Sequence, residues 1–231
     1  AHFGVPTNGP VGVQVRFADG SVVTHRGVSL NQELVIRDVP ADRVCESFPD
    51  VPLDFWAYEH IEGCIAAGVV AGYDDARYHG DWAVTRGQMA VFISRSLAGG
   101  EGNVPEFTDT PTFSDVPEGY WALKHVEYAV DRGVVAGYDD GTYRPEELVD
   151  RGQMAVFVAR AREWVGIDDD MTTAPELFPD VPAGFWAGTA VQVCVDNDVV
   201  YGYDDGYYHP EYVVTRDQMA VFIARAFRLG L

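Results

Sequence analysis

Between Trp121 and about Val135 the apolar residues fall at Ala122, Val126, Ala129, Val130 and Val134. That spacing of three and four predicts an amphipathic helix burying one stripe. The stretch before it, F-S-D-V-P-E-G-Y-W (113–121), is turn-rich, with Pro117 fixing φ and Gly119 loosening the entry. Gly133 and Gly137 stop the helix, and D-D-G-T-Y-R-P (139–145) is a loop by composition. A second, shorter helix is expected from Asp150, with Met154, Phe157 and Val158 as its apolar face. Asp150 with Gln153, like Thr85 with Gln88 and Thr215 with Gln218, has the spacing of a capping box. Near the N-terminus the pattern changes to alternation in V-G-V-Q-V-R-F (11–17). The turn signal A-D-G-S (18–21) and the runs V-V-T-H and L-V-I-R follow. These predict a small β element of two or three strands, marginal by itself.

The helix–loop–helix pattern occurs three times at a shift of 65 residues without a gap. Arg86, Arg151 and Arg216 coincide in V-T-R-G-Q-M-A-V-F, V-D-R-G-Q-M-A-V-F and V-T-R-D-Q-M-A-V-F. Phe48, Phe113 and Phe178 coincide too, as do Trp56, Trp121 and Trp186, and G-Y-D-D at 72–75, 137–140 and 202–205. The chain divides into a β segment (1–47) and repeats over 48–98, 113–165 and 178–231. One helix pair cannot bury its stripe alone, so a mainly α fold is expected, with each repeat covering the next about a pseudo-threefold axis. The connectors 99–112 and 166–177, rich in Gly, Pro, Thr and acidic residues, are long enough to wrap such a body. Triplication of one unit favours a binding surface or scaffold over an enzyme.

Hydrophobic content of 47% in 231 residues is ample for a core. A net charge of −20 argues against nucleic acid, since 16 basic residues against 36 acidic ones cannot displace counterions globally. No apolar run reaches the roughly 18 residues of a membrane span. The chain starts at Ala1 without a charged-then-apolar leader and reads as processed or as part of something longer. Of three cysteines, Cys64 and Cys194 share a repeat position and Cys45 stands apart. The shared pair reads as small core residues, or as a disulfide where equivalent positions converge near the axis.

An arginine in the first turn of a helix opposes the macrodipole and calls for a partner. For Arg86, Arg151 and Arg216 the partner is either a ligand carboxylate gripped bidentately or Asp74, Asp139 or Asp204 of the neighbouring loop. Trp56, Trp121 and Trp186 read first as anchors seating the first helix and second as platforms for sugar rings. Gln88, Gln153 and Gln218 read first as caps and then as sugar ligands. The aspartate pairs at 74–75, 139–140 and 204–205, and Asp168–Asp170, resemble hard-cation ligands, with calcium the ion to consider. None completes a calcium loop, so no cofactor is assigned. The six histidines show no metal spacing, and no nucleophile–base arrangement emerges.

In F-x-D-V, W-A, G-x-x-x-G-Y, D-G-T-Y, P and the arginine that opens the second helix, the repeat resembles the S-layer homology motif of bacterial cell-surface proteins. Phe113, Asp115, Trp121-Ala122, Gly133, Gly137-Tyr138, Asp140-Gly141-Thr142-Tyr143, Pro145 and Arg151 carry the resemblance. It implies a three-pronged pseudo-trimer on the cell envelope that holds an acidic wall polysaccharide between prongs, through Arg86, Arg151 and Arg216. The chain departs from the family pattern at Asp150, at Asp75-Ala76 and Gly80 of the first repeat, and in Gly-Gln or Asp-Gln after each arginine. Residues 2–39 more weakly resemble part of the ASPIC/UnbV module through H-F-G, V-R-F-A-D-G-S and N-Q-E-L-V-I. Two roles follow: a non-catalytic envelope anchor, or a self-assembling subunit of a surface layer or filament whose β segment contacts other copies.

Overall fold

The computed structural model describes residues 11–16, 22–28 and 47–230. Strands β1 (Val11–Arg16) and β2 (Val22–Val28) pair antiparallel. The third run, at 34–37, and Cys45 lie outside the described residues. Six α-helices follow among the described residues: α1 (Tyr58–Ala66), α2 (Arg86–Ala98), α3 (Leu123–Asp131), α4 (Arg151–Ala161), α5 (Gly188–Asp196) and α6 (Arg216–Phe227).

Helix lengths reverse the order expected from the apolar spacing. The first helix of each repeat has 9 residues, the second 13, 11 or 12. The predicted helix over Trp121–Val135 is shorter because Trp121 and Ala122 lie in the entry turn and Gly133, at φ 68°, reverses the chain. Val134 and Val135 keep the apolar rhythm without being helical, since the loop they begin is itself core. Helix α4 buries Met154 through Ala159 and Ala161, nearly its whole circumference, as a central helix must.

Helices α2, α4 and α6 touch one another at the centre. Each first helix packs on the second helix of the preceding repeat, α3 on α2, α5 on α4 and α1 on α6, and not on its own partner. The three repeats therefore exchange helices in a closed cycle. On the axis, the Val84 N–H donates to Val214 O, Val149 N–H to Val84 O and Val214 N–H to Val149 O, each at 2.9 Å, and all three valines are fully buried. Cys64 and Cys194 do not meet at this axis. Each thiol faces a carbonyl of the preceding repeat's helix, Ala220 O and Ala155 O, and both remain free. Burial pushes each thiol up to about 12.

The F-x-D motif builds the inter-helix loop. The Asp115 carboxylate accepts from the Tyr143 and Arg144 amides at 2.8 and 2.7 Å, and Asp50 and Asp180 do the same for Tyr78–His79 and Tyr208–His209. Phe48, Phe113 and Phe178 lie against the buried rings of Tyr78, Tyr143 and Tyr208. They also pass so close to Gly72, Gly137 and Gly202 that a Cβ there would sit 2.1–2.6 Å from a ring carbon. In the first repeat Ala76 takes φ 61° where Gly141 and Gly206 stand, so its loop closes as the others do despite the altered residue.

Gly133 and Gly137 separate conformation from crowding. Both have positive φ, but a Cβ at Gly133 meets nothing within 4 Å. Gly133→Ala is expected to cost about 1 kcal/mol for the backbone alone. Gly137→Ala is expected to lose a further 1–3 kcal/mol, roughly, for overpacking against Phe113. Urea unfolding measures both, and equal losses would show that Phe113 does not set the requirement.

Candidate functional site

Each second helix begins at a cap residue, Thr85, Asp150 or Thr215, followed at once by the repeated arginine. The first amides of the helix find their acceptors in the next copy. Arg86 and Gly87 donate to Glu147 O and Pro145 O, Arg151 and Gly152 to Tyr212 O and Pro210 O, and Arg216 and Asp217 to Trp82 O and Gly80 O, all at 2.8–2.9 Å. The guanidinium groups follow the same route. Nε of Arg86, Arg151 and Arg216 donates to Tyr143 O, Tyr208 O and Tyr78 O. Nη2 of Arg151 and Arg216 adds Tyr201 O and Ala71 O. The tyrosine hydroxyls return the bond, Tyr143 to Arg86 O, Tyr208 to Arg151 O and Tyr78 to Arg216 O.

The arginines are only 5% exposed, each within 6 Å of two tyrosine rings and a phenylalanine ring; for Arg151 these are Tyr203, Tyr208 and Phe222. The loop aspartates Asp74, Asp139 and Asp204 do not pair with them. Their neighbours Asp75, Asp140 and Asp205 instead hold His79, Arg144 and His209 at 2.7–3.0 Å. Among the described residues no carboxylate forms an ion pair with Arg86, Arg151 or Arg216, and no three His, Cys, Asp or Glu side chains are placed to hold a metal ion.

The tryptophans are not the core anchors their place in the repeat predicts. Trp56, Trp121 and Trp186 are 59%, 58% and 49% exposed, because the alanine after each one fills the core position. Trp121 crosses Gly87, and Trp186 crosses Gly152 so closely that a Cβ would lie 2.9 Å away. Trp56 faces Asp217 instead and donates from Nε1 to Oδ2 at 3.0 Å. The glutamines differ as well. Thr85 and Gln88 form both limbs of the capping box. Asp150 accepts from the Gln153 backbone amide, but no bond returns from the Gln153 side chain, whose Oε1 is buried without a partner among the described residues. Gln218 Oε1 accepts from the Thr215 amide while its own amide donates to Asp217.

These parts meet between repeats. A cleft of about 200 Å³ opens between the third repeat and the first, lined by Trp56, Arg151, Tyr201, Tyr203, Gln218 and Arg225. Arg225 belongs to a second triplicated set, Arg95, Arg160 and Arg225, which motif reading passed over although it obeys the same 65-residue shift. All three reach the carbonyl of a valine that follows the first helix, Val69, Val134 and Val199. Arg95 also pairs with Glu101 of the connector at 2.5 Å, and Glu101 bonds Lys124 at 2.9 Å. Partial burial by itself would raise the Glu101 carboxyl, but the bonds from Lys124 and Arg95 bring it down to about 2.

Two outcomes test this geometry. Arg151→Met is expected to cost about 1–3 kcal/mol for each carbonyl left without a donor. Asp139→Asn is expected to stay within about 0.5 kcal/mol of wild type, and a loss at Asp139 matching that at Arg151 would restore the aspartate as partner. Because the Glu101 carboxyl is depressed on folding, its stabilisation is complete above the ordinary carboxylate range and fades as pH falls towards about 2. An acid titration should show this step, and Glu101→Gln should remove it.

The S-layer homology domain family matches the chain at residues 47–90, 112–155 and 177–220. The chain is 24% identical over 181 residues to a cellulosome-anchoring protein of Acetivibrio thermocellus, covering 78% of this chain and 39% of that protein. It is 29% identical over 178 residues to an endoglucanase of Bacillus sp. strain KSM-635, covering 77% and 18%. It is 27% identical over 187 residues to an S-layer protein of Bacillus licheniformis, covering 80% and 20%. The chain thus spans well under half the length of each of these relatives. Among the described residues no helix is long and apolar enough to cross a membrane. Three successive matches over more than half its length show that the chain belongs to the S-layer homology family, a family of the cell surface and envelope.

Proposed function

We propose that this module anchors an exported protein by holding an acidic cell-wall polysaccharide in the grooves between repeats. Arg86, Arg151 and Arg216 are its cationic groups, Trp56, Trp121 and Trp186 its sugar-facing rings, and Gln153 and Gln218 its polar contacts. One observation carries the reading: three buried guanidinium groups have carbonyls and aromatic rings around them but no carboxylate pair among the described residues. A buried cation satisfied only by dipoles still favours an anion nearby, and an incoming carboxylate supplies it. Trp56, exposed in the cleft that Arg151 also lines, gives a sugar ring a flat apolar surface. The resemblance to anchoring and S-layer proteins agrees with this role.

The net charge of −20 opposes an anionic polymer at long range. That repulsion is screened within about 8 Å at physiological salt. A guanidinium beneath low-dielectric ring faces acts at contact, where screening is weak. The chain is therefore expected to sediment with purified cell walls at physiological salt and to stay in solution once wall carboxylates are amidated with carbodiimide. Equal sedimentation on native and amidated walls would overturn the acidic ligand. A chain that ignores native walls would overturn anchoring altogether.

A further inference from the structure

Three residues of the third repeat depart from both sister copies, and all three bear on one cleft. Asp198 stands where the others have Gly68 and Gly133, Tyr201 where they have Ala71 and Ala136, and Asp217 where they have Gly87 and Gly152. Asp198 holds φ 59°, in the left-handed region that the two glycines occupy at 68°, a conformation that disfavours a side chain. There its Oδ1 accepts from the Tyr201 hydroxyl at 3.1 Å. Asp217 accepts from Trp56 Nε1 on the other wall. Two rings, 50% and 59% exposed, are thus each fixed at the polar end by a carboxylate found in no sister copy.

Arg225 sets this cleft apart from its counterparts. Arg95 is taken by Glu101 of one connector, and Arg160 donates from Nη2 to Ile167 O of the other at 3.1 Å. Among the described residues Arg225 makes one long bond, 3.5 Å to Val199 O, and it lies 5.1 Å from the centre of the Tyr201 ring. No carboxylate among the described residues forms an ion pair with it. Arg151 lines the same cleft and has no carboxylate pair among the described residues either.

We infer that the cleft between the third and first repeats, and not its two counterparts, is the glycan site of this chain. It takes one carboxylate-bearing sugar residue, with the ring face between Tyr201 and Trp56 and the carboxylate on Arg225 beside Arg151. Asp198 and Asp217 are positioning residues that hold the two walls. The inference rests on the anchoring reading and narrows it from three grooves to one.

The probe is the soluble polysaccharide released by peptidoglycan digestion from purified Bacillus licheniformis walls, the source of one relative. Calorimetric titration of the whole chain is expected to give one site. Tyr201→Ala, which installs the residue of the sister copies, and Arg225→Gln are each expected to weaken binding by roughly tenfold or more. Arg95→Gln and Arg160→Gln should leave affinity unchanged. Trp56→Phe should remove the tryptophan emission change on binding. Three equivalent sites, or equal losses in all three arginine variants, would overturn the single cleft. A wild-type chain that binds no polysaccharide would overturn the anchoring reading instead.

Discussion

A helix that opens with an arginine gathers unmade N–H donors and positive charge at one end. In this chain the acceptors that satisfy both belong to the next copy. The two leading amides and the guanidinium Nε of each second helix all end on carbonyls of the following loop. The consequences are architectural. No copy completes its own helix start, so the exchange satisfies every member only when the third returns to the first, as Arg216 does at Tyr78 and Ala71. An open solenoid leaves one terminal helix uncovered. Here the packing of α1 on α6 and the ring of valine amides on the axis close the same cycle.

The charge distribution follows from that closure. The cations of the second helices are internal, and many acidic groups are committed to building the loops that surround them. Asp50, Asp115 and Asp180 each take two successive amides. Asp75, Asp140 and Asp205 hold the basic residue four positions on, itself in the left-handed region at His79, Arg144 and His209. A strongly acidic formal charge therefore coexists with three buried guanidinium groups and with two arginines, Arg151 and Arg225, in the lining of one cleft. Charge totals describe long-range fields, not the contact surface.

Much of this was legible in the residues because local chemistry and the 65-residue shift agree. The capping spacing located the start of every second helix, and Gly133 located the end of a first helix. Helix lengths were misjudged because Val134 and Val135 keep the apolar rhythm beyond a left-handed turn. The arginine's partner was not legible. An anion or an aspartate is what charge alone calls for, whereas the pairing with Tyr143 O, Tyr208 O and Tyr78 O depends on which copy packs on which. The tryptophans misled for a related reason, since a large ring is assigned to the core until the small residue after it is seen to occupy that place. Arg95, Arg160 and Arg225 carried a full periodic signal but no motif to draw attention to them.

The departures are more informative once the copies are paired in space. Gly80 in the first repeat and Asp217 in the third look like unrelated losses of a proline and a glycine. Yet the Asp217 amide donates to Gly80 O, and a Cβ on Gly80 would lie 3.2 Å from Asp217 Cβ. At the other two junctions Pro145 faces Gly87 and Pro210 faces Gly152. Bulk has moved from one side of the contact to the other, which keeps the exchange intact and leaves a carboxylate facing Trp56. A residue shared by all three copies thus reports first on how the ring closes. The residues that break the repeat, once their packing partner has been found, show where one junction has been given a surface of its own.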